Sequence, residues 1–127
     1  MVGERLVTHP AIRKVSFTGG TEVGRALAQK AAAKLMPVSL ELGGKSPTIV
    51  FADADLDVAL AGVLFGIFSS TGQSCIAGSR LFVQRAVYEE FVSRLVAATK
   101  ALRVGHSFEP RTQVCLLYTS PSPRDRG

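Results

Sequence analysis
The sequence predicts an α/β fold, a mostly parallel sheet with covering helices. Two observations carry that prediction. Short runs of β-branched or alternating apolar residues take turns with segments of helical period, which is the pattern of parallel strands joined through helices. Glycine pairs, Gly19-Gly20 and Gly43-Gly44, stand where strands end. Composition agrees: 127 residues, 46% hydrophobic and 20% charged, are those of a globular domain or a piece of a larger one. They exclude low-complexity disorder, collagen and a disulfide scaffold.

Val15-Ser16-Phe17-Thr18 reads as a strand ending at Gly19-Gly20. Thr21 or Glu22 opens a helix rich in Ala, Lys and Gln that runs through Leu35 and is stopped by Pro37. Val38, Leu40 and Leu42 alternate with Ser39 and Glu41, a strand period broken by Gly43-Gly44. Thr48 to Phe51 is a β-branched, aromatic run and reads as a buried strand. Asp53, Asp55 or Asp57 then caps a helix from about Leu56 to Phe68, apolar nearly all round and expected to be buried. Residues 69–79 are polar and glycine-containing, a loop with Cys75 near its middle. Leu81-Phe82-Val83 is another strand. Tyr88, Phe91, Val92, Leu95, Val96 and Leu102 keep helical spacing up to Gly105. From Cys115 to Gly127 the rhythm stops, so this stretch is expected to be a tail outside the fold.

Several function classes fall away on arithmetic. The net charge of +5 comes from basic residues spread along the chain, not clustered as a nucleic-acid footprint requires. The longest apolar run, Val58 to Phe68, is too short to span a bilayer, and no secretory leader is expected in residues 1–14. Two cysteines make no disulfide framework, which points to a reducing, cytoplasmic setting. They and the two histidines have no zinc spacing. Asp53, Asp55 and Asp57 fit the first positions of a calcium loop, but Val58 and Leu64 stand where Gly and Glu are required.

Three segments can carry chemistry. Residues 18–24, Thr-Gly-Gly-Thr-Glu-Val-Gly, lie between a strand and a helix. Glycines there allow close backbone approach, and the free N–H groups of the helix start favour an anion such as phosphate. The spacing is neither the dinucleotide fingerprint nor a Walker loop, and a plain βα turn without ligand reads equally well. Glu41 stands opposite the apolar face of its strand, at the C-terminal end where α/β folds bind ligands. A desolvated glutamate there suits general-base work; a solvated strand-end glutamate is the ordinary alternative. Cys75 sits in Gly72-Gln73-Ser74-Cys75-Ile76-Ala77-Gly78-Ser79. A free cysteine is already a strong nucleophile in its thiolate form, although most unpaired cysteines are inert and buried. His9 and His106 are both distant in sequence, which gives a Cys-His protease pair little support.

Taken together, three blocks resemble the aldehyde dehydrogenase superfamily, in its order and at its separations. They are His9-Pro10 through Phe17-Thr18-Gly19-Gly20-Thr21-Glu22-Val23-Gly24, then Leu40-Glu41-Leu42-Gly43-Gly44-Lys45-Ser46-Pro47, then Gly72-Gln73-Ser74-Cys75-Ile76-Ala77-Gly78-Ser79-Arg80. The likeness covers about residues 1–114, a central slice of a family subunit. It implies a partial Rossmann-like cofactor domain over residues 1–43, part of a catalytic domain over 44–114, and a tail outside the family over 115–127.

By position, the resemblance implies Cys75 as nucleophile and Glu41 as general base. Gly19, Gly20 and Thr21 would lie along the pyrophosphate of NAD or NADP, with Leu42 and Gly43 flanking the nicotinamide. Family members often carry serine where Gly20 stands, so a hydroxyl contact to phosphate is missing here. The implied reaction oxidises an aldehyde to a carboxylic acid through a cysteine thiohemiacetal and thioester. The implied partners are a small-molecule aldehyde and, for the full subunit, further copies of itself, with no nucleic acid and no membrane. Two other readings stay open: a non-catalytic α/β binding or interaction module, and a relative that passes the acyl group to CoA.

Overall fold
The computed structural model describes residues 2–116. In chain order they form α1 (Val2–Thr8), β1 (Val15–Thr18), α2 (Thr21–Ala32), β2 (Val38–Glu41), β3 (Pro47–Val50), α3 (Leu56–Phe68), β4 (Arg80–Val83), α4 (Tyr88–Lys100), β5 (Val104–Gly105) and β6 (Val114–Cys115). Strands pair as β1 with β2, β3 with β4 and β5 with β6, and each pair is parallel. The α/β class with parallel strands and covering helices is therefore observed. The chain divides into two compact units, Met1–Gly44 and Lys45–Gly127.

The first unit is a β-α-β motif with α1 added. Thr18 stands opposite Glu41 at the shared C-terminal end of β1 and β2. Val7, Ala31 and Met36 form the buried core, and Ile12, Val15, Leu27 and Val38 pack against it. The sequence analysis left α1 unassigned. Its first turn is tied to α2 by an ion pair between Glu4 and Lys30. The hydrogen bond from Lys30, and then its positive charge, lower the Glu4 carboxyl below its ordinary value. At the other end of α1, Lys34 Nζ donates to the carbonyls of Val7 and His9 at 3.3 and 2.7 Å. α1 is thus held by two lysines of the α2 region that lie far along the chain. The helix expected through Leu35 ends at Ala32 instead. Leu35 takes a left-handed conformation with φ 52°. The Met36 N–H donates to Ala31 O and the Leu35 N–H to Ala32 O, which closes the helix end before Pro37 is reached.

In the second unit, Val50, Val63 and Phe91 join β3, α3 and α4 in one core, with Leu56, Leu60, Leu81, Val83 and Leu95 around it. Asp55 caps α3, its side chain accepting from the N–H groups of Asp57 and Val58 at 2.9 and 3.2 Å. Arg94 of α4 pairs with Asp57 across to α3 and with Glu90 on its own helix. The expected burial of α3 on all sides is not found: Val63 is buried, but Val58 is 68% and Phe65 76% exposed. α3 packs through one face on β3 and α4, and Val58 and Phe65 on other sides of the helix are largely exposed. At the end of this unit β5 and β6 add a small parallel pair, and Cys115 stands opposite Gly105 in it. The rest of the expected tail, residues 117–127, lies outside the described residues.

Candidate functional site
In the first unit the structure brings two of the three sequence candidates together. The Gly19 N–H donates to Glu41 O at 3.0 Å, so the glycine turn after β1 lies beside the end of β2. Gly20 is the N-cap of α2, with extended backbone and no side-chain cap hydrogen bond. The N–H groups of the first turn are left uncapped by any side chain, and Glu22 pairs with Arg25 on the same helix. Helix N-termini of this kind favour anions. At two positions here an added side chain would force a neighbour to move. A Cβ on Gly19 would come within 2.6 Å of the Phe17 ring, and one on Gly24 within 2.6 Å of Leu42. Leu42 therefore packs on the first turns of α2, next to the glycine turn. Glu41, Gly43 and Gly44 are exposed.

Between α1, β1 and α2 lies a groove of about 780 Å³, walled mainly by Leu6, Val7, Phe17, Val23, Ala26 and Leu27. Nothing in the sequence analysis pointed to it. Its signal was divided between α1, which was left unassigned, and one face of α2, whose Val23, Ala26 and Leu27 carry the i, i+3, i+4 spacing. The groove adjoins the glycine turn through Phe17 and Glu22.

In the second unit Cys75 is a free, exposed thiol. It occupies the first corner of a four-residue turn closed by the Ala77 N–H donating to Ser74 O at 3.1 Å. The Ser74 hydroxyl accepts from the Ile76 N–H at 3.4 Å, across the cysteine. A corner residue projects its side chain outward, which accounts for the exposure. The loop is fixed on both sides. Upstream, Ser70 and Thr71 take left-handed conformations with φ 51° and 59°, and Gly72 follows with φ 71°. Such backbone is uncommon for serine and rarer for β-branched threonine. Downstream, the Gly78 N–H donates to Gly66 O of α3 at 3.0 Å. Gly78 also lies so close to β3 that a Cβ there would be 2.5 Å from Thr48 Oγ1.

Glu41 belongs to the first unit and Cys75 to the second. His9 and His106 take part in local turns, His9 Nδ1 accepting from the Ala11 N–H and His106 Nδ1 from the Phe108 N–H. Among the described residues no cluster of His, Cys, Asp and Glu can hold a metal ion, and no helix is long and apolar enough to cross a membrane.

Comparison with known proteins places this geometry. The profile of the aldehyde dehydrogenase family matches residues 1–122. Betaine aldehyde dehydrogenase of Rhizobium etli is 52% identical over 112 residues, covering 88% of this chain and 23% of that protein. Retinal dehydrogenase 2 of Gallus gallus is 50% identical over 115 residues, covering 89% and 22%. Among solved structures, an aldehyde dehydrogenase from Bacillus cereus superposes with a TM-score of 0.86 at 42% identity, over 91% of this chain and 24% of that one. PnpE in complex with nicotinamide adenine dinucleotide gives 0.85 at 38% identity, over 90% and 23%. The chain thus spans about a quarter of the length of the relatives it matches. The chain belongs to the aldehyde dehydrogenase family.

Proposed function
We propose that this chain supplies the nucleophile, the general base and part of the dinucleotide site of an NAD(P)-dependent aldehyde dehydrogenase. The exposed Cys75 at its turn corner, within a family member's sequence, is the observation that carries this reading. Cys75, as thiolate, adds to the aldehyde carbonyl carbon and forms a thiohemiacetal. Its N–H makes no hydrogen bond among the described residues and is available to the oxygen that becomes negative. A bound dinucleotide supplies the acceptor for the hydride that leaves this carbon. Glu41 takes a proton from water as it attacks the resulting thioester, and the carboxylic acid departs as the thiolate is restored.

The residues present fit the dinucleotide. The uncapped first turn of α2 with Gly19, Gly20 and Thr21 suits a pyrophosphate, since Gly20 leaves open space where a side chain would stand. The groove between α1 and α2 has apolar walls suited to a flat base. Leu42 and Gly43 are assigned to the nicotinamide end.

The test is kinetic, in a full-length subunit carrying this segment. Cys75→Ala is expected to abolish aldehyde oxidation. Glu41→Gln is expected to slow thioester hydrolysis by about 10²–10⁴-fold. A covalent acyl adduct on Cys75 then accumulates and is visible by mass spectrometry. With CoA present the product is expected to remain the free acid. Undiminished turnover in Cys75→Ala would remove the assignment.

A further inference from the structure
We propose that Arg80 is a positioning residue for the Cys75 loop, holding the loop's downstream end by clamping the main chain at Lys45. The proposal rests on the reading of Cys75 as nucleophile. Arg80 is the first residue of β4, immediately after the loop. Its Nε and Nη2 both donate to the Lys45 carbonyl, at 2.9 and 2.6 Å. Its own N–H donates to Ser46 O at 3.4 Å, the last ladder bond at this end of the β3–β4 pair. The guanidinium therefore carries the attachment one residue beyond the reach of the ladder. It lies 5.8 Å from the centroid of the Phe82 ring, two residues along the same strand face, which holds the planar fork in orientation.

The position of this clamp is informative. The loop's upstream end is set by left-handed residues, and on its downstream side Gly78 is bonded to Gly66. Without the fork, the stretch between Gly78 and the β3–β4 ladder would be held at Arg80 only by the long bond to Ser46. Arg80 is exposed, and solvent-exposed hydrogen bonds add little to global stability. Its effect is thus local, on where the corner bearing Cys75 comes to rest. Small displacements of a reacting atom can cost as much as 100-fold in rate. Lysine cannot reproduce the fork, because an ammonium is a point donor on a flexible stem.

The experiment compares Arg80→Lys with wild type in a full-length subunit carrying this segment. Arg94→Lys is the control, because Arg94 also holds two elements together, pairing with Asp57 in the first turn of α3, at the end of that helix opposite the cysteine loop. Arg80→Lys is expected to lower kcat about tenfold or more. KM for aldehyde and dinucleotide should stay within about twofold, and the thermal midpoint within about 4 °C. Arg94→Lys should match wild type in kcat. A smaller loss of kcat, a matching change in KM, or a loss that follows the thermal midpoint overturns the proposal. If Arg80→Lys does not fold, Arg80→Gln is read in the same way; failure of both to fold makes Arg80 a folding residue and also overturns it. Cys75→Ala in the same series separates the two claims. Turnover in Cys75→Ala defeats the nucleophile reading, whereas a dead Cys75→Ala beside a normal Arg80→Lys defeats only the positioning role.

Discussion
Gly78 illustrates how a single absent side chain can shape the cysteine loop. A Cβ at this position would stand 2.5 Å from Thr48 Oγ1, well inside contact distance. Gly78→Ala is expected to destabilise the second unit by about 1–3 kcal/mol, the range for overpacking a close contact. Thr48→Ala removes the clashing oxygen, so the double variant should recover most of that loss. Urea denaturation of the four proteins measures the coupling, and additive losses would show that the two residues do not meet. The sequence analysis read Gly78 only as one small residue of a loop. Glycine identity is visible in a sequence, but the neighbour that demands it is 30 positions upstream and is found only through strand pairing. Cys75 was legible for a different reason: small polar neighbours and a preceding apolar helix mark an accessible loop. Its backbone setting was not. Ser70 and Thr71 at positive φ follow no turn preference of serine or threonine, so their conformation is imposed by the packing on either side.

At the scale of elements, chain boundaries were read less well than chain order. The apolar period of α2 continues to Leu35, but the helix closes at Ala32 because Met36 and Ala31 share the same buried core and their hydrogen bond reverses the chain there. Leu35 is left at the left-handed position that glycine normally fills, with its side chain 93% exposed. Leu35→Gly should therefore stabilise the protein by about 0.5–1 kcal/mol, the cost of a left-handed L-residue less the added flexibility of glycine when unfolded. A thermal midpoint that falls instead would show that Leu35 makes contacts this geometry does not include. α1 escaped sequence reading because seven residues without apolar period carry no local signal, and its supports, Lys30 and Lys34, come from another helix region. β5 and β6 escaped for a similar reason: two-residue strands have no alternation to detect. The β-α-β order and the glycine-ended strands around Glu41 were legible because alternation and helical period are properties of the local sequence.

At the scale of the whole molecule, composition indicated a globular domain or a piece of one and residue patterning its α/β class, but neither told how much apolar surface stays open. Ile49 and Phe82 face outward from the β3–β4 pair at 57% and 51% exposure, on the side opposite the Val50–Val63–Phe91 core. Phe65 adds the open face of α3. Apolar surface left open on two sides of one unit marks association. The 127-residue chain is expected to self-associate at micromolar concentration, and Ile49→Thr with Phe65→Ser should reduce its light scattering while leaving the helical circular dichroism unchanged. Equal scattering from both proteins would place the sticky surface elsewhere. The strand pairing has a further consequence, for synthesis. Each parallel pair closes inside its own unit, so β1 and β2 can pair before β3 and its partner β4 have both left the ribosome. Emergence from the ribosome can thus install the glycine turn and its neighbouring carboxylate first, and deliver the thiol after the first unit has been wound.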